Sequence, residues 1–316
     1  MGCRPRGPVR WGVVSSTSPR VDARIGIVVT DSYSAEDPDH DTPLLLRALR
    51  ERGANAEPVV WHRGDDPAAY DLLVIRSPWD YPERAPEFAA WLDRAERATR
   101  VLNPPSVVRW NLDKSYLRDL EAEGIRTVPT AYATTVTQAR KDLAARGHDR
   151  VVVKPTVSAG ARDTGLYDAS DPAALALAER IIAAGGVAMI QPEIAELTAG
   201  AEKALYLFDG HFSHAIAKGA LLAHGGGLIG GVYVEHPEPV ETSAVERAFA
   251  GDVLAAVARI TGAGLPLYAR VDTVASEEHG LVILEAELIE PALNLHVAPD
   301  ATAIVADAII TAATAS

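Results

Sequence analysis

The chain has 316 residues, of which 48% are hydrophobic and 23% charged, and a formal net charge of −13; that length supports two or three modest domains with a sizeable core. A protein that held nucleic-acid phosphates by general attraction would be basic, so that partner class is not expected, whereas a small anion such as a nucleotide needs only a few local cations. A single cysteine, Cys3, leaves no intramolecular disulfide and no cysteine-based zinc site, and no apolar run of about 18 residues is present to span a membrane.

Residues 1–23 contain Arg, Pro, Gly and Ser but no apolar stretch of signal-peptide length, and they read as a disordered extension of a cytoplasmic protein. Regular patterning starts at Arg24. Residues 24–31, RIGIVVTD, predict a buried strand. Thr42–Arg52 predicts a helix, with leucines at 44, 45, 46 and 49 and Gly53 as its stop. Ala56–Trp61 and Tyr70–Arg76 read as strands, and Glu83–Arg97 as a second amphipathic helix. Strands alternating with helices imply a parallel, doubly wound unit over residues 24–105, closed by Asn103-Pro104-Pro105.

Leu112–Glu123 reads as a helix stopped by Gly124, and Ile125–Thr130 as extended. Helix Thr137–Arg146, strand Arg150–Lys154, helix Pro172–Ala184 and strand Val187–Gln191 follow. Lys203–Phe208 and His211–Ala217 flank Asp209-Gly210, a hairpin signal. A glycine-rich loop, His224–Gly231, leads to a strand at Val232–Glu235. Helix Ser243–Thr261, strands Leu267–Val274 and Leu281–Glu287, and helix Asp300–Ala312 complete the chain.

Two regions carry the chemistry. In VVVKPTVSAGARDT, residues 151–164, a strand delivers Lys154 to a small-residue loop through Ser158, Ala159 and Gly160. Such a loop can turn backbone N–H groups onto a phosphate beside the lysine charge, or it can be a surface turn. Its residue order differs from a Walker A loop. In YARVDTV and LVILEAELIEP, acids interrupt apolar strands. Arg270 and Asp272 are two residues apart, as are Glu285 and Glu287, so each pair shares a strand face. Carboxylates inside apolar strands are costly without partners, and three together suit Mg²⁺. Glu290 leaves the strand before Pro291 and reads as a turn residue or a substrate ligand. Past the ends of the first and third strands, Asp41, Arg76 and Ser77 are candidates for the substrate side, where Trp79 and Tyr81 read as packing residues. Lys218 and Asn294 are further substrate-side candidates.

Taken in order, WNLDKSYL, VVVKP, MIQPEI, ARVD and LEAE resemble the ATP-grasp superfamily across residues 24–310. Within it the chain is most similar to the O-ureido-D-serine cyclo-ligase (D-cycloserine synthetase) branch, through DHDTPLLL, VIRSPWDYPER, KPTVSAGARDT and ELIEPALNL. Glutathione synthetase is a more distant relative.

The resemblance implies an α/β protein with an N-terminal pre-ATP-grasp domain (24–105), a small lobe with linker (106–191) and a C-terminal lobe with the metal site (192–316). It implies Lys114, on a helix, and Lys154 on ATP phosphates, with Ser158 and Gly160 beside them. Gln191, Pro192, Glu193 and Ile194 would line the adenine pocket, with Glu202 near that hinge. Arg270 would stabilise an acyl phosphate, and Asp272, Glu285 and Glu287 would hold Mg²⁺, with Mn²⁺ as a substitute. The implied activity is ATP-dependent ligation of an amino-acid-like small molecule, with or without ring closure, by a protein whose homo-oligomerisation stays open. The alternatives are a peptide-type ligase and a non-catalytic ATP-binding regulator.

Overall fold

The computed structural model describes residues 21–33, 38–158, 160–229 and 236–315. Residues 1–20, Ala159 and the strand expected at Val232–Glu235 lie outside them. The first unit runs β1 (Val21–Val29), α1 (Asp41–Glu51), β2 (Ala54–Val60), β3 (Leu72–Ser77), α2 (Ala85–Ala98) and β4 (Arg100–Leu102). Its sheet is parallel, in the order β2-β1-β3-β4. β1 begins at Val21, inside the stretch read as a disordered extension, because pairing with β2 sets Val21 opposite Ala54.

Two short helices follow, α3 (Pro105–Asn111) and α4 (Tyr116–Ala122). The helix expected at Leu112–Glu123 therefore begins only at Tyr116, after a break at residues 112–115. The Asp113 carboxylate accepts the Ser115 N–H at 2.8 Å, and this local bond replaces a helical one.

The small lobe comprises β5 (Ala131–Ala133), α5 (Val136–Arg146), β6 (Arg150–Pro155), β7 (Gly165–Asp168), α6 (Pro172–Ala183) and β8 (Ala188–Pro192). Its antiparallel sheet has the order β5-β8-β6-β7. On β6, Val151 and Val153 enter a core shared with α5 and α6, so the alternation sends Val152 and Lys154 to the opposite face.

The rest of the chain holds α7 (Ala195–Thr198), β9 (Glu202–Phe208), β10 (His211–Lys218), β11 (Glu238–Pro239), α8 (Ala244–Thr261), β12 (Tyr268–Ser276), β13 (Gly280–Glu287) and α9 (Pro299–Thr314). Its sheet is antiparallel, in the order β11-β10-β9-β12-β13. The hairpin between β9 and β10 turns at Asp209-Gly210, both with positive φ, 49° and 76°. α8 starts at a capping box in which Ser243 and Glu246 exchange side-chain and backbone bonds, a device of order ~1 kcal/mol.

The cores explain how the units sit together. Leu205, Leu207, Ala269 and Val271 pack beneath α8 with α4 residues Leu117 and Leu120. On the other face, Ala204, Tyr206, Phe208 and Tyr268 join a core built with β1, α1 and α9. The N-terminal unit thus shares its core with the large sheet. Asn103 stitches the same junction: its amide donates to the carbonyls of Tyr268 and Leu288 at 2.8 and 2.6 Å. Among the described residues no helix is long and apolar enough to cross a membrane.

Candidate active site

The alternation of the large sheet builds the site. On β12 the residues facing away from α8 are Tyr268, then Arg270 and Asp272; on β13 they are Glu285 and Glu287. Antiparallel pairing sets Arg270 opposite Glu287 and Asp272 opposite Glu285. On the neighbouring pair, Lys218 lies opposite Glu202. A bulge after Asp272 pairs Thr273 with Ile283, so Leu284 is the extra residue, and it too reaches the cleft. Six charged side chains therefore share one face at one end of one sheet.

They are tightly connected. Arg270 is 4% exposed and Asp272 1%. Arg270 Nε and Nη2 donate to the two Asp272 oxygens, each at 2.8 Å, and Nη2 also bonds Glu287. Lys218 Nζ lies 3.1 Å from both Asp272 Oδ2 and Glu202 Oε1. Burial opposes the charge on Asp272, but Arg270 and Lys218 hold its carboxyl below the usual range. Burial raises Glu202 despite Lys218. Burial also pushes Glu287 up to about 8, with Glu285 and Asp272 adding to the rise against Arg270.

Across the cleft stands the small lobe. Lys154, at the end of β6, has neither a side-chain hydrogen bond nor an ion pair among the described residues. Burial holds its ammonium below the ordinary lysine range, with Lys114 adding to the effect and Glu285 opposing it. Lys114 sits in the break between α3 and α4, where its backbone N–H donates to Thr156 O at 2.8 Å. The expectation that it lies within a helix is thus corrected. The break lets the side chain turn between the lobes: Nζ donates to Ser158 O at 2.7 Å and lies 3.1 Å from Glu285 Oε1. Burial works against that charge, and Glu285 more than offsets it.

Together these walls enclose a cavity of about 660 Å³. Apolar residues from both lobes, among them Val152, Leu166, Ile194 and Leu284, form part of its lining, next to Gln191, Pro192 and Glu193. The loop after β10 crosses the opening: Leu221, Leu222 and Leu228 line the cavity, and Gly225 N–H donates to Leu166 O of β7 at 2.9 Å. Gly226 has φ +97°, and an added Cβ would stand 2.4 Å from the Tyr167 hydroxyl, so only glycine fits there.

The cavity collects Lys114, Lys154, Ser158, Gly160, Gln191, Pro192, Glu193, Ile194, Glu202, Lys218, Arg270, Asp272, Glu285, Glu287 and Glu290 from the residues singled out in the sequence. Four expected substrate residues lie elsewhere. Asp41 is 3% exposed and accepts the backbone N–H groups of Leu293, Asn294 and Leu295 at 2.5, 3.1 and 2.8 Å. Asn294 takes positive φ, 54°, in that turn and donates to Tyr206 OH at 2.9 Å. Arg76 is 1% exposed; it donates to Pro291 O at 2.8 Å and lies over the Tyr268 ring. Ser77 donates to Asp39 at 2.5 Å and contacts Tyr33 OH at 2.8 Å. The start of α1 and the end of β3 dock on the 289–295 turn, so Asp41, Arg76 and Asn294 become its internal supports, while Ser77 bonds within the first unit.

Conversely, Tyr33, Trp79 and Tyr81 line the cavity, although Trp79 and Tyr81 had the pattern of packing residues. The signal that finds them is positional: Trp79 and Tyr81 follow the carboxyl end of β3 in a parallel sheet, where ligands bind.

For a divalent cation, the donor set fits in chemistry. Asp272, Glu285 and Glu287 offer hard oxygens on one face of the sheet. Among the described residues, no group of three His, Cys, Asp or Glu side chains converges on a metal position; each of these three carboxylates turns onto Arg270, Lys218 or Lys114.

Comparisons with known proteins bear on the family and the fold. Residues 25–103 match the family model for the N-terminal domain of D-cycloserine synthetase DcsG. The cycloserine biosynthesis protein DcsG of Streptomyces lavendulae is 38% identical over 282 residues, 86% of this chain and 93% of the relative. The crystal structure of D-cycloserine synthetase DcsG superposes with a TM-score of 0.84 at 35% identity, covering 92% of this chain and 100% of that one. Two structures share the fold at lower identity. The ATP-grasp ligase PsnB bound to a minimal precursor has a TM-score of 0.63 at 19% identity, over 93% of this chain and 100% of that one. The D-alanine–D-alanine ligase of Bacillus anthracis complexed with ATP has 0.61 at 16%, over 92% and 97%.

Proposed function

The chain belongs to the D-cycloserine synthetase family of the ATP-grasp superfamily, and from that premise we propose that it is an ATP- and Mg²⁺-dependent ligase acting on an amino-acid-like carboxylate through an acyl phosphate. The observation that carries the reading is Lys154, a cation without an ion-pair partner among the described residues, facing a carboxylate-bearing sheet across the cavity. Division of labour follows the walls. Residues 106–191 and 192–316 act as two grasping lobes, and residues 24–105 supply the substrate side.

In this reading Lys154 and Lys114 hold phosphate charge, Ser158 and Gly160 shape the loop over it, and Gln191 to Ile194 meet the adenine. Asp272, Glu285 and Glu287 would hold Mg²⁺ (or Mn²⁺), which neutralises phosphate charge when bound. Binding the nucleotide frees Lys114 from Glu285. Arg270, fixed by Asp272, offers its guanidinium to charge developing on the transferring phosphoryl group. The substrate carboxylate is phosphorylated, and a nitrogen nucleophile then displaces phosphate. Displacement by the substrate's own nitrogen closes a ring. The leucines of the loop after β10 keep water from the acyl phosphate.

Purified protein incubated with MgATP and O-ureido-D-serine or other amino acids tests this. ADP release that requires the carboxylate substrate supports ligation, and mass spectrometry of the product separates ring closure from peptide-type joining. Tight nucleotide binding with no ADP from any substrate would favour a non-catalytic ATP-binding regulator.

A further inference from the structure

The charge pairing inside the cavity singles out two residues. Of its five cationic lining residues, Lys154 has no ion pair among the described residues. Of its eight lining carboxylates, seven are ion-paired: Asp80 with Arg84 at 3.3 Å, Glu83 with Arg162 at 2.9 Å, Glu193 with Arg150 at 2.7 Å, and the other four as described above. The eighth is Glu290, which has no ion pair among the described residues.

Glu290 is also held in place. Its carbonyl accepts from Trp79 Nε1 at 2.9 Å, and the buried Tyr81 phenol stands close enough to its carboxylate to favour the charged form. Trp79 meets Tyr33 edge-on at 5.6 Å, and both line the same cavity as Glu290. A carboxylate in a cavity that aromatic side chains also line is chemistry suited to an ammonium group. Burial, with a smaller contribution from Glu285, lifts Glu290 to about 7, the direction expected of an acid whose cation has yet to arrive.

We infer that Glu290, positioned by Tyr81 and Trp79, receives the ammonium group of the substrate, so that the site selects a free primary amine at the end of the cavity formed by the N-terminal unit. The cavity then takes an occupant with anionic charge toward Lys154 and cationic charge toward Glu290. Nucleotide phosphate meets the first and the amino acid's nitrogen meets the second. That role presupposes the ligase reading above, but binding can test it apart from turnover.

The test is isothermal titration of O-ureido-D-serine and its N-acetyl derivative onto the full chain loaded with MgADP. The wild type should prefer the free amine by about 100-fold, the scale for a desolvated charge pair. Glu290→Gln should bind both compounds equally weakly while holding MgADP as the wild type does. Tyr81→Phe should lose only part of the preference, since it removes one hydroxyl beside the carboxylate. Glu290→Gln retaining the full preference, or a wild type indifferent to acetylation, would overturn the assignment. If the wild type prefers the free amine yet releases no ADP from MgATP, ligation fails and the amine receptor stands.

Discussion

Asp41 stands in the sequence as a substrate-side candidate, and the structure makes it a support, so its removal separates the two roles. Its carboxylate takes three backbone N–H groups of the turn after Pro291, at 2.5, 3.1 and 2.8 Å, inside a site 3% exposed. Asp41→Ala leaves three buried donors without a partner. At about 1 kcal/mol or more for each unmet donor, the loss is roughly 3 kcal/mol. Arg76, whose Nη2 is 3.9 Å from the same carboxylate, loses its nearest counter-charge. For a chain of this size about 2 °C accompanies each kcal/mol, so the melting temperature should fall by roughly 6 °C. Calorimetry of the wild type and the variant reads this directly. A variant that melts with the wild type but shows a raised KM for the amino-acid substrate would refute the reasoning and return Asp41 to the substrate side.

Three further outcomes follow from the site. Lys154→Met should weaken ATP binding by about 10- to 100-fold, the range for hydrogen bonds to charged groups. The ligand-free protein should melt no lower than the wild type, because the cation removed has no ion-pair partner among the described residues; equilibrium binding and calorimetry check both. Arg270→Ala should bind ATP within about threefold of the wild type yet turn over about 10²- to 10³-fold more slowly; normal turnover would remove Arg270 from the mechanism. His214 stacks on Tyr206 at 4.2 Å and bonds Leu293 O at 2.9 Å, and burial holds its pKa below 6.5. The neutral ring is the folded form, so its contribution is complete above the unfolded value near 6.5 and is lost as pH falls toward the folded one. Denaturation at pH 7.5 and 5.5 should therefore show a larger loss for the wild type than for His214→Phe.

How much of this was legible in the sequence depends on how local the cause is. The face shared by Arg270, Asp272, Glu285 and Glu287 follows from period-two alternation, which any strand imposes, and the pairing of Arg270 with Glu287 only adds register. Lys154 at a strand end is equally local. Lys114 is not: its place in a helix break depends on the bonds from Ser115 to Asp113 and on Thr156 across the linker. The short strand Gly165–Asp168 carries too few residues for a pattern and exists through pairing with β6.

Asp41, Arg76 and Asn294 look like site residues because polar groups past strand ends usually face a ligand. Their burial comes from residues more than two hundred positions away, where the 289–295 turn docks on the first unit. That same docking brings Glu290 beside Trp79 and Tyr81, so the amine subsite and the errors in the sequence reading have one origin.

The most direct test of the central claim follows oxygen rather than product. With substrate labelled by ¹⁸O in its carboxylate, attack on ATP and later displacement would carry one labelled oxygen into each inorganic phosphate released, read by mass spectrometry. One label per phosphate, dependent on MgATP and accumulating about 10²- to 10³-fold more slowly in Arg270→Ala, is the predicted result. Product formed with unlabelled phosphate would contradict an acyl phosphate and the mechanism built on it.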